Sequence, residues 1–204
     1  MSKIYLISPP QIDDLQDFTK SLDDILSLNL IPVFQLRLKG YELSEITNIA
    51  KELLAICQKH NVLFILNDYA DLAIKIGAGG VHVGVDDENI MNIKKKSPEG
   101  FVVGASCYDS KDLAMIAAEQ GADYISFGAF FESPTKKSRG KPDPEIIKWS
   151  DELFNIPTVA IGGITDENCS ALVDMGAEFL AVISYVWSSD NKKDSIEKLL
   201  KKIN

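Results

Sequence analysis

The segment EQGADYISF (119–127) places a glycine and an alanine between a polar, helix-like segment and a run of apolar residues. The same arrangement recurs in KIGAGGVHV (75–83) and in DMGAEFLAV (174–182). Glycine adopts the left-handed conformation that ends many helices, and a small alanine after it lets the chain turn back tightly. The three segments therefore predict a chain in which helices alternate with strands.

Eight apolar runs rich in β-branched or aromatic residues extend this alternation along the chain. The predicted strands are KIYLIS (3–8), VFQLRLK (33–39), VLFILN (62–67), GVHVG (80–84), FVVGAS (101–106), DYISFGAF (123–130), PTVAIGG (157–163) and FLAVIS (179–184). Segments of helical spacing lie between them, including 44–60, 109–120 and 165–175, with Asp109 and Thr165 as expected N-caps. Eight strand–helix units favour an α/β fold, a single (β/α)8 TIM barrel over residues 1–204. A doubly wound open sheet is the alternative, because the pattern does not prove closure.

Composition excludes several classes of protein. The 204 residues include 30 acidic and 21 basic ones, a formal charge of -9, so no general basic field for nucleic acid is expected. The apolar runs are far shorter than the ~20 residues that span a bilayer, and the first residues do not resemble a signal peptide. Three widely spaced cysteines without a CxxC motif argue against disulfides or a zinc site. We therefore expect a cytoplasmic protein that binds neither nucleic acid nor membrane.

Polar residues end the second predicted strand. Alternation along QLRLK (35–39) sends Gln35, Arg37 and Lys39 to one side of the strand and the two leucines to the other. Chemistry in such barrels lies at the C-terminal strand ends. We interpret the three polar side chains as a grip for an anion, with an ion pair inside the barrel mouth as the structural alternative.

Carboxylates follow the third and fourth strands. Strand three ends in Asn67-Asp68, and HVGVDD (82–87) ends strand four in Asp87. Two carboxylates from neighbouring strand ends suit Mg²⁺, which takes a few carboxylates together with water and phosphate oxygens. The alternative is that both aspartates are helix N-caps. His82 lies in mid-strand and is as readily an interior packing residue as a functional one.

Strands five and six end in hydroxyl-bearing residues. Ser106 is a weak signal and equally a cap. The segment GAFFESPTKKSRGK (128–141) follows strand six and offers hydroxyls at Ser133 and Thr135 and a charge at Lys136. Its last three cations, Lys137, Arg139 and Lys141, are expected to form a solvated loop.

Glycines and hydroxyls end strands seven and eight. Gly163 precedes a predicted helix start, and Ile183-Ser184 closes the last strand. Glycine-lined turns at helix N-termini after these two strands are the usual phosphate site of a TIM barrel. No nucleophile or general base stands out, so the residues suit departure of a diphosphate better than hydrolysis.

Taken together, these strand ends resemble the thiamine-phosphate synthase family over nearly the whole chain. The segments that carry the resemblance are QLRLK (35–39), ILNDYADLA (65–73), HVGVDD (82–87), SPTK (133–136), IGGIT (161–165) and Ile183-Ser184. The resemblance implies a TIM-barrel transferase that joins a hydroxymethylpyrimidine diphosphate to a thiazole phosphate and releases diphosphate. It also implies Mg²⁺ at Asp68 and Asp87.

The resemblance assigns the remaining residues to two substrates. The pyrimidine diphosphate would be held by Gln35, Arg37, Lys39, Asn67, Ser106 and Lys136. The thiazole phosphate would be held by Ser133, Thr135, Gly163, Ile183 and Ser184. Arg37, Lys39, Ser106 and Lys136 would serve catalysis.

Three positions depart from the family pattern. They are Val85 where glutamine is usual, Leu38 where an acidic residue is common, and Glu132, which we expect to point away from the anion site. A thiazole tautomerase-like enzyme and a non-catalytic barrel that binds a phosphate ligand are the alternatives. The sequence leaves a homodimer open.

Overall fold

The computed structural model describes residues 2–132 and 141–203, and its centre is a sheet of parallel strands. The strands are β1 (Lys3–Ile7), β2 (Val33–Leu36), β3 (Leu63–Asn67), β4 (Gly80–Val83), β5 (Val102–Tyr108), β6 (Tyr124–Gly128), β7 (Thr158–Ile161) and β8 (Phe179–Val182). Each strand pairs with the next one in sequence, and β8 pairs with β1, where Tyr5 lies opposite Ala181. The sheet is thus a closed (β/α)8 barrel as predicted, and the open-sheet alternative is wrong.

Helices connect the strands and cover the outside of the barrel. They are α1 (Leu15–Leu26), α2 (Leu43–Lys59), α3 (Ala70–Ile76), α4 (Ile90–Lys96), α5 (Lys111–Glu119), α6 (Glu145–Leu153), α7 (Ser170–Asp174), α8 (Ser184–Trp187) and α9 (Lys192–Ile203). In the part of the chain that the structure describes, no helix combines the length and apolar character needed to cross a membrane.

The Gly-Ala segments form the predicted helix-to-strand turns. Gly77, Gly121 and Gly176 have φ angles of 75°, 90° and 96°, the left-handed region that glycine adopts without strain. Gly77 caps α3, and Ala78 after it donates its N–H to the carbonyl of Ala73 at 2.9 Å. This bond ties the start of the next strand to the end of the helix, so the alternation seen in sequence has a local cause.

Two predicted helix starts are wrong. Helix α5 begins after Ser110 rather than Asp109, because the Ser110 hydroxyl accepts the N–H of Leu113 at 3.2 Å. Helix α7 begins at Ser170 rather than near Thr165. Thr165 instead opens a separate turn, in which its N–H donates to the Asn168 side chain at 2.9 Å.

The apolar core has two layers. The larger layer lies between the sheet and the helices and includes the fully buried Phe34, Phe64 and Phe127. The smaller layer fills the barrel and consists of Tyr5, Ile7, Val33, Ile65, Tyr124, Val159 and Ala181. Because the strands are parallel, their carboxyl ends meet at one mouth of the barrel, above this inner layer.

Candidate active site

One cavity of about 690 Å³ opens at the carboxyl ends of the strands, and all eight strands contribute to its lining. Most of the residues predicted from sequence line it together. They are Gln35, Arg37, Lys39, Asn67, Asp68, Asp87, Ser106, Gly163, Ile183 and Ser184. The other three, Ser133, Thr135 and Lys136, lie outside the described residues.

Two cations project from the end of β2. Arg37 and Lys39 follow the strand and line the cavity beside the buried Gln35, whereas Leu36 and Leu38 pack in the outer apolar layer. The predicted alternation is therefore confirmed. Neither cation has an ion pair within 4 Å among residues 2–132 and 141–203. The structural ion pair considered from sequence is not formed there, and both charges face the cavity.

Two carboxyl groups meet across the ends of β3 and β4. Burial above all, together with the neighbouring Asp87, which shares a hydrogen bond with it, raises the pKa of Asp68 to about 6. The positive charge of Arg37 acts in the opposite direction. Asp87 is held in place because its carboxylate accepts the N–H of Gly84 at 2.7 Å. The pair thus concentrates negative charge at one edge of the mouth.

The backbone aims Asp68 at the cavity. Its φ of 70° lies in the left-handed region, and its N–H donates to the carbonyl of His82 at 2.9 Å. Such a conformation is uncommon for a residue other than glycine and often marks a functional position. Tyr69 and Asn89 are the N-caps of α3 and α4, so the capping alternative for the two aspartates is wrong.

Side-chain amides connect the strand ends. Gln35 donates through Nε2 to Oδ1 of Asn67 at 2.6 Å, and a hydrogen bond from Asn67 lowers the pKa of Asp68. The network therefore runs from β2 through β3 to the carboxyl pair at β4. Buried amides held in this way are restricted in orientation, so they define a fixed pattern of donors and acceptors.

The carboxyl pair fits a divalent cation. No cluster of three or more His, Cys, Asp or Glu residues occurs in the described ranges, so the protein would offer a metal ion the two carboxylates of Asp68 and Asp87 at this edge. A hard ion such as Mg²⁺ binds through one or two carboxylates and completes its octahedron with water and phosphate oxygens. A cation between the two groups would also remove the repulsion that raises the pKa of Asp68.

Sequence reasoning missed a hydrogen-bonded chain inside the barrel, here called the tyrosine–histidine relay. The hydroxyls of Tyr5 and Tyr124 are 2.7 Å apart, Tyr124 Oη is 2.9 Å from Nδ1 of His82, and Nε2 of His82 is 2.8 Å from Oγ of Ser106. Burial, with a contribution from Arg37, lowers the pKa of His82 to about 4. The imidazole is therefore neutral at pH 7. An imidazole with so low a pKa is a weak proton acceptor.

Gly104 on β5 is the one sequence signal for the relay. A Cβ at this position would overlap the ring of Tyr124, which lies stacked on His82 at 5.5 Å between ring centres. A glycine inside a strand often marks the close approach of a neighbouring group. Ser106 is not a helix cap, because Ser110 caps α5.

The loops after β7 and β8 form the opposite side of the mouth. Gly163 has a φ of 60°, and a Cβ there would overlap the backbone of Phe131 and Glu132. After β8, helix α8 begins at Ser184 and is held by Trp187, whose Nε1 donates to the carbonyl of Ile7 at 2.7 Å.

A family model described as thiamine monophosphate synthase matches residues 4–186 of this chain. The chain belongs to the thiamine monophosphate synthase family. The thiamine-phosphate synthase of Rhodospirillum centenum is 43% identical over 186 residues, covering 91% of this chain and 89% of the relative. That of Erythrobacter litoralis is 41% identical over 195 residues, covering 94% and 91%. This protein is accordingly a transferase of thiamine biosynthesis, as predicted.

A solved structure of the same family has the same architecture. The thiamine phosphate pyrophosphorylase from Pyrococcus furiosus superposes with a TM-score of 0.84 and 29% identity, over 98% of this chain and 95% of the other. The barrel fold of this chain is thus shared with that structure.

Two departures from the family pattern lie at the mouth. Val85 lines the cavity and is 52% exposed. Glu132 also lies in the cavity lining, where its backbone carbonyl packs closely against Gly163. The expectation that its side chain points away from the anion site stays a prediction.

Proposed function

We propose that this protein is an Mg²⁺-dependent thiamine-phosphate synthase. It joins 4-amino-2-methyl-5-hydroxymethylpyrimidine diphosphate to 4-methyl-5-(2-phosphoethyl)thiazole and releases diphosphate. Membership of the thiamine monophosphate synthase family supports the reaction class. The observation that carries the finer proposal is the meeting of the Asp68–Asp87 pair with Arg37 and Lys39 in one cavity.

These groups suit a magnesium diphosphate. Asp68 and Asp87 would provide oxygen ligands for the cation, and Arg37 and Lys39, which line the same cavity, would neutralise phosphate oxygens. Lys136, a residue of the family's motif, is assigned by resemblance to the same diphosphate. Gly163, Ile183 and Ser184, with Ser133 and Thr135, are assigned to the thiazole phosphate on the far side of the mouth.

The reaction needs charge neutralisation and alignment more than proton transfer. The bond between the pyrimidine methylene carbon and the diphosphate oxygen breaks, and its electron pair leaves with the diphosphate. The thiazole nitrogen then donates its lone pair to the methylene carbon, and a C–N bond forms. Arg37 and Lys39 stabilise the charge that develops on the leaving group, and the two phosphate sites hold the reacting atoms in line. Bound Mg²⁺ supplies further neutralisation of the diphosphate.

The test is an assay of diphosphate release by the purified protein. We expect release only when both substrates and Mg²⁺ are present, and no release when any one of them is omitted. Release without the thiazole phosphate would indicate hydrolysis. Binding of the thiazole phosphate without any release, at saturating Mg²⁺, would instead favour the tautomerase-like or binding-only alternatives.

A further inference from the structure

Each hydroxyl hydrogen in the tyrosine–histidine relay needs an acceptor. This requirement determines the direction of every hydrogen bond in the relay. Tyr5 is 3% exposed, and its hydroxyl has one hydrogen-bond partner among the described residues, the hydroxyl of Tyr124. A buried hydroxyl hydrogen without an acceptor is costly. Tyr5 therefore donates to Tyr124, and Tyr124 directs its own hydrogen elsewhere.

His82 is the acceptor that remains for Tyr124. Nδ1 of His82 lies 2.9 Å from the Tyr124 hydroxyl. A neutral imidazole has one donor and one acceptor nitrogen, so a hydrogen received at Nδ1 places the ring's own hydrogen on Nε2. Nε2 then donates to the hydroxyl oxygen of Ser106, 2.8 Å away.

We propose that this relay locks His82 in the Nε2–H tautomer and thereby turns the hydroxyl hydrogen of Ser106 into the cavity, toward a ligand that accepts a hydrogen bond. Ser106 is the group that meets the ligand. Tyr124 and His82 are positioning residues that act through it, and Tyr5 orients Tyr124. The opposite arrangement, with hydrogen on Nδ1, leaves one phenol hydrogen without an acceptor among the described residues and turns Ser106 inward.

The ligand's chemistry follows from this polarity. Ser106 faces the same cavity as Arg37 and the Asp68–Asp87 pair. A fixed hydroxyl donor at that place suits a phosphate oxygen or an aromatic ring nitrogen rather than a donor group. The tautomer of His82 is inferred from the hydrogen bonds of the relay and does not depend on the proposed function. The assignment of the acceptor to the pyrimidine diphosphate does rest on the proposed function.

The tautomer is measured directly by nitrogen NMR on the full-length protein labelled with ¹⁵N-histidine. The chain has two histidines, His60 and His82, so a His60→Gln variant assigns the signals. We expect His82 in the substrate-free protein with hydrogen on Nε2 and a bare Nδ1. The Tyr124→Phe variant should show a mixture of tautomers. Tyr41→Phe removes a phenol hydroxyl that bonds the backbone of Ile12 instead, and should leave the His82 signal unchanged.

A double-mutant cycle tests whether Tyr124 acts through Ser106. We expect Tyr124→Phe to lower kcat/KM for the pyrimidine diphosphate about five- to tenfold in the parent protein and by less than about twofold when Ser106 is already alanine. If no coupling activity is found, the same cycle is measured on the binding of inorganic diphosphate with Mg²⁺. Hydrogen on Nδ1 of His82, or losses that simply add, would overturn the proposal.

Discussion

The central residue of the mouth is Asp68, whose carboxyl group shares a hydrogen bond with that of Asp87. Replacement by asparagine should lower the rate of thiamine phosphate formation about 100-fold or more, because in the proposed mechanism Asp68 would be a ligand of the Mg²⁺ that neutralises the leaving diphosphate. Asp13→Asn, which removes the same charge from an exposed loop, is the matched control and should be nearly neutral. An unchanged rate in Asp68→Asn would remove the two-carboxylate site from the mechanism.

The same substitution should stabilise the metal-free protein. The folded-state pKa of Asp68 is raised above its unfolded value, so its contribution to stability is fully present at low pH and is lost as the pH rises through about 6. At about pH 7.5, Asp68→Asn should therefore raise the free energy of unfolding. The side chain is partly solvent-exposed, so the gain should stay below about 1 kcal/mol. Urea denaturation at two pH values measures it, and equal effects at low and high pH would contradict the pKa assignment.

His82 gives stability the opposite pH dependence. Its pKa falls from 6.5 to about 4 on folding, so the unfolded chain binds a proton between these values and the folded protein does not. Its contribution is present above about pH 6.5 and decreases toward pH 4, by up to about 3 kcal/mol. Denaturation curves of the wild type and His82→Gln should converge as the pH falls through this range. A constant difference between them would mean that the imidazole is not held neutral.

Sequence reasoning works well for residues at strand ends and poorly for the barrel interior. Arg37 and Asp68 were predicted because alternation and strand boundaries are local features that place polar groups at one mouth. The contact of Tyr124 with His82 joins β6 to β4, and no local pattern states which interior side chains meet. Gly104 is the partial exception, because a glycine inside a strand indicates that a neighbouring group approaches the backbone closely, here the ring of Tyr124.

At the scale of elements, the mouth depends on how the loop after β7 packs against the segment after β6. Gly163→Ala should weaken binding of the thiazole phosphate about tenfold or more, because the new methyl group displaces Phe131 and Glu132. Gly100→Ala is a matched control. Gly100 also has a positive φ, 79°, but its Cβ would meet no atom within 4 Å.

The Gly100 variant should therefore lose stability, by about 1 kcal/mol, while keeping its affinity for the substrate. Isothermal titration with the thiazole phosphate measures the affinity of each variant, and urea denaturation measures its stability. Equal affinities in both variants would show that the packing of these two loops does not shape the phosphate site.

The basic segment after β6 provides a second comparison within one element. Lys136 is assigned to the diphosphate by resemblance, whereas Lys141 is an exposed residue at the end of the same segment. We expect Lys136→Ala to lower kcat/KM about 100-fold and Lys141→Ala to lower it less than about threefold. Similar losses in the two variants would mean that the segment acts as a diffuse positive field rather than through one contact.

Element boundaries were predicted to within a few residues, and the errors have local causes. The hydroxyl of Ser110, rather than the carboxylate of Asp109, accepts the N–H of Leu113 in the first turn of α5. Thr165 and Asn168 pair with each other in a turn that delays the start of α7. Competition between neighbouring polar side chains of this kind depends on backbone geometry that the sequence does not specify.

At the scale of the whole molecule, closure of the sheet was the feature that the sequence left open. It depends on the pairing of β1 with β8, the two strands farthest apart in the chain. Closure bears on the proposed function, because it brings the residues at the ends of β2 to β4 and the loops after β7 and β8 to one rim. An open sheet would leave these two groups of residues at separate edges.

The central claim is that this rim couples two substrates, and the most direct measurement counts both products in one reaction. With Mg²⁺, the pyrimidine diphosphate and the thiazole phosphate present, we expect one thiamine phosphate formed for each diphosphate released. Omission of the thiazole phosphate should abolish both products. Diphosphate released without thiamine phosphate, or neither product at saturating substrates, would contradict the account.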